Sequence, residues 1–394
     1  MTTPTRAAPA NAEETACVQA GTWIDPKTGD VLAVDALMAS LATRPVVLLG
    51  ERHTAAEHHR WQAAMLAALQ AHRPALAIGF EMFPRSAQPA LDAWSRGELS
   101  ADAFLRQSRW REVWGFDEDL YLPLLHFARA NRLPALALNV ERALVARVAR
   151  EGWAAVPEAA REGVTKPTEA SADYRQSLAR VYAETHRESG GEDTAENAKP
   201  DLQAIMAEPG FQNFVAAQLT WDRAMAEAIA AARENDPTRL VVGIIGRGHL
   251  EHGWGVPHQL ADLGVADVAV LLPMTAAAAC AGPPPDLADA VFIIDRADDA
   301  QAPPDRPRLG VTIEAADDGV RILQVVDDSV AAAAELAAGD IIVMAAGQPI
   351  KRRAELIAII QRQAPGTWLP LDIKRDGEVM QRVAKFPTAA NGNP

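Results

Sequence analysis

The chain is poor in cysteine, tyrosine and positive charge, and it has no long apolar run. Its two cysteines, Cys17 and Cys280, are either separate thiols or one disulfide tying an N-terminal arm to the end of the first domain. A disulfide would require an oxidising compartment. There are three tyrosines, Tyr121, Tyr174 and Tyr182, so any phenol chemistry is confined to these. Lysine and arginine number 38 against 52 acidic residues, a net charge of −14, which argues against nucleic acid as the main partner. No apolar stretch reaches the ~18–20 residues that cross a membrane, so no transmembrane segment is expected. Residues 1–21 are rich in Ala, Thr and Pro and lack the apolar core of a secretory leader. That leaves a cytoplasmic protein or a mature one whose leader has been removed.

What is present is apolar residues in quantity, 49% of 394. The length suggests two domains with a sizeable core. Residues 1–20 read as a flexible arm. From about 21 to 280, short apolar runs at 46–50, 75–80, 134–138, 240–245 and 266–272 alternate with amphipathic helices such as 54–72 and 211–235. This spacing predicts an α/β fold, a mostly parallel sheet with helices on both faces. Strand signals vanish across 156–209, which reads as a helical insertion with a helix at 171–186 followed by a polar stretch. Residues 281–307, rich in proline and charge, read as a linker. A compact β-rich unit follows at 308–388 and closes with a hairpin around Asp376-Gly377.

The chemistry concentrates where apolar runs end. VVLLGERH (46–53) and LVVGIIGRGH (240–249) each end in glycine with a histidine three residues on. ALAIGFEMF (75–83) adds a glutamate at the same kind of position. Parallel strands open at their ends into the crevice where ligands bind. Glu51, His53, Glu81 and His249 are therefore expected at one rim, able to hold a divalent metal ion or to act as catalytic acid and base. The bland alternative is that these histidines merely tie strand ends together. The two glutamates need partners to offset desolvation, and the histidines, Arg52, Arg85 or a metal would serve. His58 and His59 read as solvent-facing, with His58 and Gln62 on one helical face. His252 and His258 either line the same mouth or face water. Trp221 and Met225 read as core. Asp222 between them, if buried, is expected to cap or to pair with an arginine.

Two resemblances emerge. The C-terminal unit resembles a PDZ domain of the bacterial protease-associated kind, through Leu309, Gly310 and Val311, DSVAA (328–332), AGDII (338–342) and GQPI (347–350). The resemblance implies that the amides of Leu309–Gly310–Val311 cap a protein or peptide C-terminus, which adds as a strand beside the helix at 354–363. A PDZ fold used for internal docking, or for a homodimer, stays open. The first ~270 residues resemble the ChaN-like haem-binding family, in the superfamily of Tiki proteases and erythromycin-esterase-like enzymes. The ordered motifs are LGERH (49–53) with His58, His59 and Gln62; FEMF (80–83) with Gln88; NVER (139–142); AQLTWDRAM (217–225); and GRGH (246–249) with GVP (255–257). That resemblance implies haem as cofactor, haem or iron acquisition, and a periplasmic or outer-membrane setting. Cys17 lacks the leucine-rich stretch a lipid-attachment site needs, so the setting stays open, a cytoplasmic one included.

Haem needs an axial ligand, and tyrosine suits ferric haem in scavenging proteins. Tyr174, Tyr182 and His186 fall on the insertion helix, with Tyr182 and His186 four residues apart. They make a candidate haem platform alongside His53 and His249. Arg175, Arg180 and Arg187 could meet the propionates or stay solvated. Two functions are carried forward. One is a haem-binding envelope protein with a PDZ module that recruits a partner. The other is a metal-dependent hydrolase using the strand-end cluster.

Overall fold

The computed structural model describes residues 18–189, 200–295, 307–316, 318–361 and 363–387. The chain divides into two compact units, 1–299 and 300–394.

The first unit is built on eight strands: β1 (Trp23–Ile24), β2 (Val31–Leu32), β3 (Val46–Glu51), β4 (Leu76–Pro84), β5 (Ala135–Asn139), β6 (Leu240–Gly246), β7 (Val268–Thr275) and β8 (Ala290–Ile294). Their spatial order is β2-β1-β8-β7-β3-β6-β4-β5. The six strands from β8 to β5 are parallel, and the β1–β2 hairpin adds antiparallel at one edge. The mostly parallel sheet expected from the sequence is there. Residues 290–294 were expected in a linker; they form β8, pairing with β7 and β1. The proline-rich approach to this short run hid it.

Side-chain alternation explains the two-sided core. Val47 and Leu49 of β3 point into one cluster with Trp61, Leu66 and Phe80. Val46 and Leu48 point into the other, with Met225, Ile229 and Ile245. The helices Ala56–His72 and Glu118–Ala130 supply one face; Pro209–Asn235 and Val256–Asp262 supply the other. Gly50 leaves no room for anything larger, since a Cβ there would fall 2.2 Å from Leu272 Cδ2.

The chain leaves β3, crosses β6 to lay down β4 and β5, then returns to β6 and crosses β3 to reach β7. Strand order therefore reverses between β3 and β6. Their C-terminal ends, with that of β4, open onto one crevice. At the far edge, Gln88 closes β5. Its amide oxygen accepts from Ala137 N at 2.8 Å, and its amide nitrogen donates to Ala135 O at 2.8 Å. One side chain thus does the work of a neighbouring strand.

The second unit carries β9 (Val311–Ala316), β10 (Gly319–Val325), β11 (Ile341–Ala345), β12 (Gln348–Pro349), β13 (Trp368–Arg375) and β14 (Glu378–Lys385). Its order is β14-β13-β11-β10-β9, antiparallel throughout, with β12 on β11. The expected hairpin turn is present, Asp376 and Gly377 both having positive φ, 51° and 88°. Within DSVAA (328–332) and just beyond it the chain forms one helical turn, Val330–Ala333. Asp340, 1% exposed, then receives Ala337 N and a bidentate Arg375 at 2.7 and 2.8 Å. The unit has its own core, including Leu309, Val320, Ile342, Leu356 and Leu371.

A fragment spanning 307–387 is expected to unfold in one cooperative transition. Arg375→Ala should destabilise it by roughly 2 kcal/mol, because Asp340 is left buried without its charge partner. Denaturant melts of the fragment check both, and a non-cooperative melt contradicts the first.

Candidate functional site

The four strand-end residues come together. Glu51, 1% exposed at the end of β3, is the anchor. Its Oε1 lies 2.9 Å from His53 Nδ1 and accepts from the Tyr121 hydroxyl at 2.9 Å. Its Oε2 lies 2.9 Å from His59 Nδ1, a close contact off the hydrogen-bond line. His59 Nε2 is 3.2 Å from the His53 carbonyl, so the same ring grips both ends of the Glu51–His53 segment. Burial opposes ionisation of Glu51, but the His53 hydrogen bond and the adjoining His59 ring outweigh it and bring its pKa to about 2.

Glu81, on β4, accepts a short hydrogen bond from Gly246 N, and its Oε1 is 3.5 Å from His249 Nε2. Gly246 must be glycine here. A Cβ would stand 2.8 Å from His53 Cε1 and 3.3 Å from Glu81 Oε2. Asn139, ending β5, donates to the Glu81 carbonyl at 3.1 Å.

His249 sits on the turn Arg247–His249 after β6, with its Nδ1 2.6 Å from Asp222 Oδ1. Asp222 is fully buried and its other oxygen accepts from the Tyr174 hydroxyl at 3.0 Å. Burial works against charge on His249, but Asp222 and Glu81 overcome it and push its pKa up to about 9. For His53, burial is likewise outweighed, chiefly by Glu51, and its pKa is raised.

A cavity of about 510 Å³ opens above this cluster. His53, Glu81, Gln218 and His249 form its polar floor. Trp114, Phe116, Phe214, Trp221 and Val145 give apolar walls, and Arg142 and Glu141 lie along one side. Ring centroids put Trp114 4.7 Å and Phe116 5.1 Å from His53. Helix Arg142–Glu151 turns residues 142, 145, 146 and 149 toward the cavity, one face at helical spacing.

Several expectations are corrected. Tyr174, read as a haem ligand, is 3% exposed and gives its hydroxyl to Asp222; burial and that carboxylate drive it well above the ordinary tyrosine range, the opposite of what a phenolate ligand needs. Tyr182 packs on Phe211 and Phe214 and does not line the cavity. His186 lies in helix Ala172–Ser189, but its side chain is outside the described residues. Asp222 pairs with histidine and tyrosine, not arginine. Its neighbour Arg223 bonds Asp262 and Thr165. His58 and His59 are buried, not solvent-facing. His58 accepts from Arg52 N, and burial takes its pKa down to about 4. Gln62 donates to Leu49 O. Among the described residues no group of three or more His, Cys, Asp or Glu is arranged to hold a metal ion. Each carboxylate is turned toward N–H or O–H donors instead of toward one another.

In the second unit Leu309 is buried and its carbonyl accepts from Ala331 N at 2.7 Å. Gly310 has φ +81°, and a Cβ would meet Ser329 Cβ at 2.2 Å. Val311 begins β9, which pairs with β10 alone among the described strands and lies beside helix Arg353–Gln361. Cys280 is disulfide-bonded; Cys17 lies outside the described residues. No helix among the described residues is long and apolar enough to cross a membrane.

The first unit is therefore a doubly wound α/β domain with a ligand cavity at its switch point, and the second has PDZ architecture. The family model described as haem-binding uptake, Tiki superfamily, ChaN matches residues 37–260, and the chain belongs to that family. A PDZ-domain model matches residues 307–383. A solved structure of cofacial haem binding to ChaN of Campylobacter jejuni is similar in fold, 17% identical over 68% of this chain and 95% of that one, with a TM-score of 0.53. A mutant of the erythromycin esterase EreC in its open conformation is 13% identical over 64% and 77% of the two chains, with a TM-score of 0.38. The HtrA-type protease AlgW with a decapeptide is 22% identical over 22% of this chain and 30% of that one, with a TM-score of 0.20. A comparison with curated proteins found no match.

Three shifted groups set the pH dependence. His249 is raised from 6.5 to about 9, so its contribution is full below pH 6.5 and lost as pH rises through 9. Glu51 is lowered from 4.5 to about 2, so its contribution is full above pH 4.5 and lost as pH falls toward 2. His58 is lowered from 6.5 to about 4, so its contribution is full above pH 6.5 and lost as pH falls through 4. Stability of the first unit should therefore peak near pH 6.5. The alkaline limb is worth on the order of 3 kcal/mol at most. Asp222→Asn should lower the peak and flatten that limb. Melts across pH check this, and an unchanged alkaline limb in the variant contradicts the assignment.

Proposed function

We propose that the first unit binds haem in the cavity over the strand ends, with His53 as axial ligand, and that the PDZ domain recruits a protein C-terminus to this haem-uptake module. The observation that carries the reading is the state of His53. Its Nδ1 is fixed by Glu51, its Nε2 has no hydrogen bond to a described residue, and the ring lines an apolar cavity. A carboxylate on the second ring nitrogen is the usual support for a metal-ligating histidine, setting both its tautomer and its orientation. His249 suits the role less well, because both its ring nitrogens already face carboxylates, Nδ1 at 2.6 Å from Asp222 and Nε2 at 3.5 Å from Glu81.

The residues present fit the group. Trp114, Phe116, Phe214 and Trp221 can sandwich a flat macrocycle. Arg142 is exposed at the cavity side, with one amino group on the Trp114 carbonyl at 3.1 Å and further N–H groups for a propionate. Bound haem would supply an iron centre with a visible absorption band. The protein's part is to orient His53 through Glu51, exclude water with the aromatic walls, and anchor the acidic edge with Arg142.

A cell-envelope location is part of the proposal. The disulfide at Cys280 supports it, because such bonds persist in oxidising compartments. The open edge of β9 beside helix Arg353–Gln361 supports peptide addition at Leu309–Gly310–Val311. The hydrolase reading keeps one observation in its favour: a carboxylate-held imidazole facing a cavity is also what a general base requires.

Haem titration separates the two. The full chain should develop a Soret band at one haem per chain. His53→Ala should weaken binding at least tenfold and shift the band, Arg142→Ala should weaken it severalfold, and Tyr174→Phe should leave the band in place. A band that moves in Tyr174→Phe but not in His53→Ala would overturn the ligand assignment. For the PDZ domain, peptides with a free C-terminus should bind, and amidation should abolish binding. Gly310→Ala should do the same, because the added methyl strikes Ser329.

A further inference from the structure

The alternation of β9 fixes which residues of an incoming tail meet which side chains, given the reading of the PDZ unit as a receptor for a protein C-terminus. Val311 and Ile313 are half-buried and pack against the core of the unit, while Thr312 and Glu314 are exposed on the opposite face. Behind them stands β10, with Arg321 in register with Glu314 and Gln324 with Thr312. β9 has no second strand partner among the described residues, so its outer side is open to addition. A tail held by its carboxylate at Leu309–Gly310–Val311 ends at the head of β9 and therefore runs antiparallel to that strand. Its last residue lies beside Val311, and each step back along the tail is one step forward along β9. The third residue from the end meets Ile313 on the core side. The fourth from the end meets Glu314 on the exposed face.

Glu314 is accessible to that fourth residue. Its Oε1 lies 3.6 Å from Arg321 Nε, outside hydrogen-bond distance, and both side chains are about half exposed. In the three strands that addition would create, Glu314 is the middle member. A cation on the tail would give it a partner on either side, whereas a carboxylate would stand directly opposite it. Cross-strand pairs of opposite charge stabilise a sheet, and like charges directly opposite destabilise it. The other charges along this rim lean the same way. Asp327 and Asp328, both exposed, follow β10 and precede Ser329, whose side chain abuts Gly310. Asp318, before β10, is held by Lys374 at 2.8 Å. The exposed cation at the head of β9, Arg308, adjoins the loop that takes the carboxylate.

We propose that Glu314 selects partner tails that carry lysine or arginine as the fourth residue from a free C-terminus, and rejects tails with aspartate or glutamate there. The carboxylate loop and the groove beside the helix accept a chain end as such. Glu314 adds the discrimination between ends, because it is the charged side chain that the register sets opposite the tail on the exposed face. The partner is thus a protein with a basic residue three places before its last.

The test uses the full chain. A library of seven-residue peptides with free carboxylates, randomised over the last four positions, is selected on it, and the bound fraction is sequenced. Lysine and arginine should be enriched fourth from the end, and aspartate and glutamate depleted. Fluorescence polarisation then compares one recovered peptide carrying lysine, glutamine or glutamate at that position. Lysine should bind roughly fivefold more tightly than glutamate, the combined effect of one attractive and one repulsive cross-strand pair. Moving the lysine one place toward the end, to the side that meets Ile313, should lose the gain. Glu314→Gln should flatten the preference and Glu314→Lys should reverse it, while the glutamine peptide keeps its affinity for both variants. Equal affinity of the wild type for the lysine and glutamate peptides would overturn the proposal, as would a preference for lysine that survives in Glu314→Lys. Should a variant fail to fold, the wild-type series decides alone. If no free-carboxylate peptide is recovered, recruitment through the PDZ unit itself fails and takes this inference with it, a result plainly distinct from tails that bind without regard to charge.

Discussion

A buried carboxylate must be given donors, and that requirement organises the first unit. Glu51, Glu81 and Asp222 are all withdrawn from water, where an unpartnered charge costs several kcal/mol. Each is met from a different element: Glu51 by helices Ala56–His72 and Glu118–Ala130, Glu81 by the last backbone N–H of β6, and Asp222 by His249 and the insertion helix. Truncating one donor would leave a buried acceptor open, so the donors are as constrained as the acids. The polar floor is therefore a joint that ties helices on both faces of the sheet to the strand ends.

The topology explains why such a joint sits here. Crossing β6 on the way out and β3 on the way back leaves a gap at the C-terminal ends of those strands that no crossover helix covers. Gly246 lets His53 and Glu81 both come within contact distance of the place its Cβ would take. Walls of tryptophan and phenylalanine above a charged floor follow from the same gap. The floor is fixed by strands and the walls come from helices and loops, a division that allows the walls to vary in shape while the chemistry beneath stays in place.

Legibility followed the same division. Glu51, His53, Glu81 and His249 could be found because strand ends are marked by apolar runs and glycine, and strand ends face the crevice. Their partners could not. Asp222 lies on the apolar face of a 27-residue helix, between Trp221 and Arg223; a polar residue there signalled burial but not what it met. His58 and His59 looked like the first turn of an exposed helix, and only the packing of that helix on β3 turned them inward. Tyr174 was misread because a tyrosine at helical spacing looks the same whether its hydroxyl meets a ligand or a carboxylate. The β8 strand was lost among prolines because a five-residue run has too little period to stand out.

The two sheets treat their edges in opposite ways, and the contrast bears on what each unit is for. An exposed strand edge is a template for pairing with another chain. In the first unit Gln88 spends both ends of its amide on Ala135 and Ala137, so β5 offers nothing to an incoming strand there. In the second unit β9 has β10 on one side and helix Arg353–Gln361 alongside, and Gly310 at its head adopts a left-handed turn that a side chain would obstruct. Among the described strands one edge is blunted by a dedicated side chain, while β9 stays unpaired on one side beside a helix, the geometry that strand addition by a peptide requires. The α/β unit directs its chemistry inward, to a cavity. The PDZ unit keeps the outer side of β9 unpaired among the described strands.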